Sequence, residues 1–400
     1  MEEMLEKRGV KANLPHIIEI DDERKKLIGE VESLRHERRA AAEKKDVKAG
    51  REIKEKLAKK EAALTGVEEE LAENLDKVPN MLHKDAPEGK DESDNVEVKR
   101  WGKIPEFDFK PLDHTEIGKA LDLIDFERAA KVAGHKFYYL KNEAVRLEFA
   151  LIDYAFKTLQ KEGFTLVRTP DLVRSEIANG IGFQPRGPEA QIYTIEKENL
   201  SLIGTAEIPL GAYHANEILE EGQLPLKYLG FSPCFRTEAG SYGKVSYGLY
   251  RVHEFDKLEI FIYCQPQDSD KMHRYILSLE EKLYQGLEIP YRVVDVCAGD
   301  LGAAAARKFD IEAWMPGRPP AGGWGEVTST SDTTDYQARR LNIKYRGKDG
   351  RVEFVHTLNG TAIAIGRTLI AILENYQQKG GSIKVPKVLH EYLGKDTIQR

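Results

Sequence analysis

The residues with the clearest chemical potential lie in one segment, Phe235–Glu259, which reads FRTEAGSYGKVSYGLYRVHEFDKLE. Arg236 and Glu238 are two residues apart, so on a predicted strand their side chains face the same side of the sheet. An arginine fork grips phosphate oxygens bidentately, and a nearby carboxylate accepts from an amine or helps to hold a metal ion. Taken alone, this pair is also typical of a surface ion pair.

The residues that follow favour the binding interpretation. Gly240, Gly243 and Gly248 form a glycine-rich loop in which backbone could approach a ligand closely. His253 and Phe255 lie on the next predicted strand. The chain contains no GxGxxG and no GxxxxGK[ST], which argues against Rossmann and P-loop nucleotide sites. A nucleotide would therefore be held by this strand–loop–strand device.

The order of the helices and strands predicted around this segment indicates an α+β domain, built on a mostly antiparallel sheet flanked by helices. Apolar residues at helical spacing predict a helix over Ala144–Lys161, and further helices are predicted at Asp268–Gln285 and Ala362–Gln378. Alternation and β-branching predict several strands: Lys227–Phe231, Tyr250–Phe255, Lys257–Tyr263, Tyr291–Val296 and Arg351–His356.

The N-terminal part has a different pattern, rich in Lys, Arg, Glu, Ala and Leu. Two apolar seams with alternating spacings of four and three predict an antiparallel α-helical coiled coil: Leu27, Val31 and Leu34 in the first helix, and Ile53, Leu57, Lys60, Leu64, Val67 and Leu71 in the second. The break is predicted at Asp46–Gly50, and Pro79 is expected to end the second helix.

The charge of this hairpin is concentrated near its tip. Residues 35–60 hold eleven Lys/Arg against five Asp/Glu, although the whole chain has a net charge of −7. A basic tip on an acidic protein is suited to a phosphate backbone. The alternative from the arm alone is a solvated coiled coil whose charges keep it soluble.

Length and composition set the remaining bounds. The 400 residues predict an arm and linker over 1–100 and a second domain over 101–400, with a polar, irregular linker at about 81–103. Cys234, Cys264 and Cys297 match no metal-binding spacing, and their odd number argues against a disulfide framework. No stretch is apolar enough to span a membrane, and the first residues resemble neither a signal nor a transit peptide. We therefore expect a cytoplasmic protein.

Several long segments, in the right order, resemble the seryl-tRNA synthetase family of class II aminoacyl-tRNA synthetases. The segment from Phe235 resembles motif 2 of that class. The other similar segments are DFERAAKVAG (125–134), TPDLV (169–173), TAE (205–207), KFDIEAWMPG (308–317), GEVTSTSDTTDYQARRLNIKYR (325–346) and HTLNGTAIAIGRTLIAILENYQ (356–377, similar to motif 3).

The resemblance implies that the chain activates L-serine with ATP and Mg²⁺ and transfers it to the 3′ end of tRNA(Ser). It also implies a homodimer, and an arm that binds the long variable arm of the tRNA while the acceptor end enters the catalytic domain. Whether the tRNA of selenocysteine is a second substrate stays open. The arm residues that we expect to contact tRNA are Arg35, Arg38, Arg39, Lys44, Lys45, Lys48, Arg51 and Lys54.

The resemblance also implies roles for individual residues. Arg236, Glu238 and Arg367 are the expected catalytic residues, and the expected serine-binding residues are Thr205, Glu207, Arg236, Glu259, Asn359 and Thr361. The expected ATP-binding residues are Arg236, Glu238, Val252, Phe255, Glu326, Val327, Thr328, Ser329 and Arg367. Phe255 would stack on adenine, Arg236 and Arg367 would hold the α- and γ-phosphates, and Glu326 and Ser329 would help to hold Mg²⁺.

Two departures from the family pattern keep other hypotheses open. The motif 2 loop has Val245-Ser246-Tyr247 where the family usually has Asp-Thr-Arg, and Asp332 stands where Asn is usual, which we expect to add a negative charge near the site. Both changes favour a non-aminoacylating paralogue with a binding or regulatory role. An amino acid:carrier-protein ligase would lack the basic arm, and a zinc-dependent variant would need a cysteine ligand within these motifs.

Overall fold

The computed structural model describes residues 1–183, 191–238 and 248–400. These residues divide into two units, Met1–Met81 and Leu82–Arg400. The altered loop residues Val245–Tyr247 lie outside the described residues. No helix in the described part of the chain is long and apolar enough to cross a membrane.

The first unit is a helical hairpin. After the short helix α1 (Glu2–Lys7), two long helices follow, α2 (Leu14–Glu43) and α3 (Val47–Leu75). At 1.5 Å rise per residue, each long helix is about 45 Å long. The predicted seam is confirmed, because Leu27, Val31, Leu57 and Leu71 are buried between the two helices.

Ion pairs across the hairpin show its antiparallel register. His16 near the start of α2 lies 3.4 Å from Glu70 near the end of α3, and Arg35 lies 2.8 Å from Glu61. The one charged residue of the predicted seam, Lys60, is accommodated by an ion pair with Glu30 at 2.5 Å.

The predicted helix ends are each displaced by a few residues. The turn lies at Lys44–Asp46 rather than at Asp46–Gly50, because Lys45 takes a positive φ of 55° and the Asp46 carboxylate caps α3 by accepting from the Ala49 N–H at 3.0 Å. At the other end, α3 stops at Leu75, before Pro79. Proline disfavours helical backbone in the residue before it, so the helix ends upstream of the ring.

The second unit contains the remaining elements. Its helices are α4 (His114–Ala120), α5 (Phe126–Val132), α6 (Glu143–Gln160), α7 (Ser175–Ile181), α8 (Glu207–Gly211), α9 (Ser269–Gly286), α10 (Tyr336–Leu341), α11 (Ile365–Asn375) and α12 (His390–Leu393). Its strands are β1 (Val96–Trp101), β2 (Ile124–Asp125), β3 (Tyr139–Leu140), β4 (Thr165–Arg168), β5 (Leu172–Arg174), β6 (Leu200–Leu202), β7 (Ile218–Glu220), β8 (Leu226–Phe235), β9 (Glu254–Cys264), β10 (Tyr291–Asp295), β11 (Arg307–Met315), β12 (Gly323–Asp332), β13 (Lys344–Arg346), β14 (Val352–Phe354), β15 (His356–Ala364), β16 (Ile383–Lys384) and β17 (Thr397–Ile398).

An eight-stranded sheet organises this unit, in the order β1-β10-β11-β12-β15-β9-β8-β4. All neighbouring strands pair antiparallel except β4 and β8, which pair parallel. The predicted α+β class with a mostly antiparallel sheet is therefore confirmed. The apolar faces of α6, α9 and α11 pack against the sheet and form one core, in which Leu151, Ile276 and Leu369 are almost fully buried.

Several predicted boundaries were wrong. The expected linker at 81–103 contains β1, which extends the sheet by pairing with β10. Residues 250–253 are not a strand: β9 begins only at Glu254 and continues without a break to Cys264. The predicted helix over Ala362–Gln378 begins at Ile365, because the preceding residues form β15 between β12 and β9. The apolar run of β15 is that of a strand buried on both faces, which periodicity does not separate from a buried helix.

Candidate active site

The second unit contains a cavity of about 590 Å³ over the central strands. Twelve predicted site residues line it: Glu207, Arg236, Glu238, Val252, Phe255, Glu259, Glu326, Val327, Ser329, Asn359, Thr361 and Arg367. Residues that are up to 160 positions apart in sequence are thus brought into one pocket, as the resemblance implied. Two predicted residues, Thr205 and Thr328, do not line it.

Two acidic residues define one part of the cavity wall. Glu259 lies on β9, directly opposite Thr361 on the neighbouring strand β15, and Asn359 faces the same side two residues earlier. Glu207 begins α8, where its backbone N–H donates to the Thr205 hydroxyl at 3.1 Å. Thr205 is therefore buried beneath this wall, where it supports Glu207.

Neighbouring groups set the charge of these carboxylates. Glu259 forms a buried ion pair with Lys257 on the same strand. Burial, and then the negative charge of Glu259, raise the pKa of Glu207 to about 7, although Lys257 partly offsets the shift. The Glu207 carboxylate accepts from the Gln337 side chain at 2.8 Å. This part of the cavity is suited to a small ligand that carries an ammonium group.

Sequence reasoning missed Lys257 and Gln337, which complete this wall. Gln337 is fully buried in α10, and its carbonyl oxygen accepts from the hydroxyls of Thr357 and Thr333 at 2.9 and 3.3 Å. Both residues stand inside segments that resemble the family, but no spacing rule joins them to Glu207 or Glu259. Only the folded sheet brings them together.

The arginines occupy the other part of the wall. Arg236 lies just beyond the end of β8, and its guanidinium sits 5.3 Å from the centre of the Phe255 ring. Its Nε donates to the carbonyl of Gly204 at 3.1 Å. The prediction that Arg236 and Glu238 share one strand is therefore wrong. Glu238 has a positive φ of 50° and forms an ion pair with Arg251, so it reaches the cavity from an irregular segment.

Arg367 stands in the first turn of α11, as predicted, and is held by several groups. Its guanidinium forms an ion pair with the Glu326 carboxylate at 2.9 Å and donates to the Glu326 carbonyl at 3.1 Å. Its guanidinium carbon also lies 4.6 Å from the centre of the Tyr250 ring. Although burial favours the neutral carboxyl, Arg367 and Lys308 lower the pKa of Glu326 to about 2, so the carboxylate stays ionised.

A β-bulge decides which residues of β12 face the cavity. Opposite β11, Thr328 pairs with Ile311 and Glu326 pairs with Glu312, so Val327 is the extra residue. The bulge places Glu326 on the same face as Ser329, although the two are an odd number of positions, three, apart along the strand. Thr328 then points away and donates to the buried carboxyl of Glu280 at 2.9 Å. Its predicted contact with ATP is therefore not supported by its position.

The same alternation corrects the expectation for Asp332. Ser329, Ser331 and Thr333 line the cavity, whereas Asp332 does not. Both oxygens of its buried carboxylate accept from the Ser269 hydroxyl at 2.9 Å, and one also accepts from the Thr334 N–H at 2.8 Å. The charge at this position is thus satisfied behind the wall rather than directed into the site.

In the first unit, the eight basic residues predicted to bind tRNA are all solvent-exposed, and they flank the turn between α2 and α3. Arg35 and Arg51 form ion pairs with Glu61 and Glu55 at 2.8 and 3.7 Å. Among the residues that the structure describes, no ion pair is recorded for the other six. Their charges are available to an anionic partner.

Comparison with known proteins agrees with this arrangement. The model of the seryl-tRNA synthetase N-terminal domain matches residues 1–82, and that of the tRNA synthetase class II core domain (G, H, P, S and T) matches residues 193–376. The serine–tRNA ligase of Dictyoglomus thermophilum is 59% identical, over 97% of this chain and 93% of the relative. That of Treponema denticola is 52% identical, over 98% and 96%.

The chain belongs to the seryl-tRNA synthetase family.

Solved structures of the family have the same fold. A seryl-tRNA synthetase from Pyrococcus horikoshii complexed with ATP is 41% identical, with a TM-score of 0.88 over 99% of this chain and 96% of that one. A cytoplasmic serine–tRNA ligase from Naegleria fowleri in complex with AMP is 35% identical, with a TM-score of 0.86 over 99% and 94%.

Membership of the seryl-tRNA synthetase family bears on the alternatives. The match over residues 1–82 argues against a carrier-protein ligase, which would lack that domain. None of the three cysteines lines the described cavity, and all three are buried free thiols, which argues against a zinc-dependent variant. The Dictyoglomus and Treponema relatives are both named as serine–tRNA ligases, and nothing in the comparisons supports a non-aminoacylating paralogue.

Proposed function

We propose that this chain is a serine–tRNA ligase, which activates L-serine with ATP to seryl-adenylate and transfers the seryl group to the 3′ end of tRNA(Ser). One observation carries the proposal: a single cavity holds both a paired-carboxylate wall, Glu207 and Glu259, and a guanidinium wall, Arg236 and Arg367. The first fits an amino acid's ammonium, and the second fits a polyphosphate.

The first step needs positioning and charge neutralisation rather than a general base. The serine carboxylate is already an anion, and one of its oxygens attacks the α-phosphorus of ATP in line with the bond to the leaving pyrophosphate. Arg236 holds the α-phosphate, and Arg367, fixed by Glu326, holds the γ-phosphate. Fixed positive groups stabilise the charge that develops on these oxygens. Phe255 stacks on adenine, with Val252, Val327 and the Glu238 side chain beside it.

The donor set on β12 fits Mg²⁺. Mg²⁺ prefers oxygen ligands and binds nucleotides through one or two protein oxygens together with the phosphates. The bulge aims the ionised Glu326 carboxylate and the Ser329 hydroxyl into the same cavity. These two residues would hold the ion, which would neutralise phosphate charge. Asn359 and Thr361 complete the serine pocket, where paired polar groups recognise the small hydroxyl.

In the second step, the 3′-hydroxyl of the terminal ribose attacks the carbonyl carbon of seryl-adenylate, and AMP leaves. The exposed basic residues flanking the α2–α3 turn bind the long variable arm of the tRNA, and its acceptor end enters the cavity. The assignment of tRNA binding to residues 1–100 and of catalysis to 101–400 is part of this proposal, as is a cytoplasmic location.

A homodimer is also part of the proposal. Phe149 on α6 is 65% exposed, and Val132 on α5 is 74% exposed. A helix that buries one apolar face in its own core and still exposes a phenylalanine is suited to a subunit interface. Light scattering should give about twice the chain mass of 45.3 kDa at micromolar concentration. A monomer would contradict this part of the proposal.

Serine-dependent ATP–pyrophosphate exchange tests the central activity. We expect exchange with serine and none with threonine, with alanine or without an amino acid. A folded dimer that shows no exchange with serine would overturn the proposed function.

A further inference from the structure

A buried hydrogen-bond network lies next to the cavity and includes residues that the proposed mechanism does not use. Glu374, at the C-terminal end of α11, is 2% exposed. One of its carboxylate oxygens accepts from the backbone N–H of His114 at 3.0 Å and lies 2.8 Å from His114 Nδ1. The other oxygen accepts from the Gly317 N–H at 2.9 Å.

The hydrogen-bond partners of His114 determine its tautomer. The backbone N–H of Leu249 donates to His114 Nε2 at 3.2 Å. A backbone N–H is only a donor, so Nε2 must be the acceptor, and the ring proton resides on Nδ1 and donates to Glu374. The imidazole therefore links Glu374 on α11 to the backbone of Leu249 through two hydrogen bonds.

Close backbone packing holds the imidazole and the start of α4. Gly248 has a positive φ of 58°, and a Cβ added there would lie 2.0 Å from His114 Nε2. A Cβ on Gly317 would lie 2.5 Å from the Cα of Asp113. Two glycines thus let separate segments approach the start of α4, which places His114 with little freedom to shift.

Both ends of the network reach Tyr250, which lines the cavity. Leu249 precedes Tyr250 directly, and Arg318, which follows Gly317, lies 5.0 Å from the centre of the Tyr250 ring. Arg367 lies 4.6 Å from the same ring and approaches the Tyr250 carbonyl with Nε at 3.4 Å. Arg367 and Glu374 belong to one helix, α11, so the network closes a loop around this wall.

We propose that His114 and Glu374 are a positioning pair for ATP: they hold the Leu249–Val252 wall against Arg367. The proposal rests on the proposed use of ATP in this cavity. Neither residue touches the substrate, and the serine wall of Glu207 and Glu259 does not depend on them. Disturbing the pair should therefore change ATP binding and leave serine binding almost unchanged.

Two isosteric substitutions separate the two hydrogen bonds of His114. In His114→Asn, the amide can donate to Glu374 as Nδ1 does, but nothing accepts from Leu249. In His114→Gln, the carbonyl can reach the position of Nε2 and accept from Leu249. Glu374→Gln weakens the other end. His390→Asn is a matched control, because this partly buried histidine bonds the Val385 carbonyl at 2.9 Å and lies outside the network.

The measurement is serine-dependent ATP–pyrophosphate exchange on the full chain, with the KM values for ATP and serine determined separately and folding checked by thermal melting. Exchange by the unsubstituted protein establishes the proposed function first, so its absence would count against that function and not against the pair. A buried donor left without an acceptor destabilises the wall that carries it. We expect His114→Asn to raise the ATP KM about tenfold, which corresponds to about 1.4 kcal/mol.

In the same assay, Glu374→Gln should also raise the ATP KM, and His114→Gln, which keeps the bond to Leu249 but loses the donor to Glu374, should raise it less than His114→Asn does. His390→Asn should change it less than about twofold. The serine KM should stay within about twofold in every variant. Three outcomes would show that the pair has only a structural role and would overturn the proposal. They are equal effects on the two KM values, equal effects of His114→Asn and His114→Gln, and loss of folded protein in both His114 variants.

Discussion

Serine binding should depend on pH through Glu207, because burial gives this carboxyl a raised pKa. Burial and the charge of Glu259 bring its pKa to about 7, well above the ordinary value of a glutamate. An ammonium ligand binds the ionised carboxylate. Lowering the pH through 7 therefore neutralises Glu207 and weakens serine binding, and raising the pH restores it.

The size of the effect follows from that pKa. One pH unit below it, at pH 6, about a tenth of the Glu207 carboxyls are ionised, and at pH 8 about nine tenths are. The serine KM should therefore fall about tenfold between pH 6 and pH 8. In Glu207→Gln the pH dependence should vanish. The KM should also rise by roughly ten- to a hundredfold, because a charge-assisted hydrogen bond contributes about 1.5–3 kcal/mol.

The assay is serine-dependent pyrophosphate exchange at saturating ATP, repeated at intervals from pH 6 to pH 8. Serine's own ammonium stays protonated over this range. Glu196→Gln, at an exposed carboxylate of the same unit, is the control and should keep the original profile. A flat serine KM in the unsubstituted protein would refute the reasoning about the pKa. A change in the ATP KM rather than the serine KM in Glu207→Gln would refute the placement of the residue.

Three further predictions follow from other contacts. Glu326→Gln removes the ion pair with Arg367 and should lower kcat/KM for ATP by at least about tenfold in the exchange assay, with the serine KM unchanged. Replacing four basic residues at the tip of the arm by alanine, Arg38, Arg39, Lys44 and Lys45, should weaken tRNA binding and reduce its salt dependence. Pyrophosphate exchange should not change, and an unchanged tRNA affinity would contradict the role of these residues. Burial and a hydrogen bond to Asp256 raise the pKa of Glu148 to about 8, so its contribution to stability is fully present below about pH 4.5 and is lost as the pH rises through 8. Glu148→Gln should therefore raise the free energy of unfolding at pH 8.5 by roughly 1 kcal/mol, with a higher melting temperature, and should change both little at pH 5. A difference that does not depend on pH would refute this assignment.

Local patterns were sufficient to predict the arm and part of the sheet: strands were predicted at the positions of β8, β9 and β10, but not at those of β1, β11, β12 and β15. A seam with spacings of four and three has one packing solution for two helices joined by a short turn, so Leu27, Val31, Leu57 and Leu71 were correctly predicted as buried. Family resemblance then identified twelve of the residues that line the cavity. These features depend on sequence order and spacing, which are available without coordinates.

What could not be predicted depends on long-range register. The bulge at Val327 has no signal of its own, because it exists only relative to β11, and it decides that Glu326 faces the cavity although Thr328, two residues later, points away. The ends of β8 and β9 were also misjudged. Arg236 and Glu238 leave the ladder after Phe235, and the partner segment that would have continued it becomes strand only at Glu254. Alternation within a single strand does not show where its pairing stops.

The alternation that follows the bulge also gives Asp332 a testable meaning. Because Ser331 and Thr333 face the cavity, the carboxylate between them points to the opposite side, where Ser269 and the Thr334 N–H satisfy it. In Asp332→Asn, the amide oxygen can still accept from Thr334, and the Ser269 hydroxyl can turn to accept from the amide nitrogen. We therefore expect the ATP and serine KM values in pyrophosphate exchange to stay within about twofold of the original, since no group that touches substrate changes. A change of tenfold or more in either KM would mean that the charge at position 332 affects the site from behind the wall. The departure from the family pattern at Asp332 would then have a functional effect.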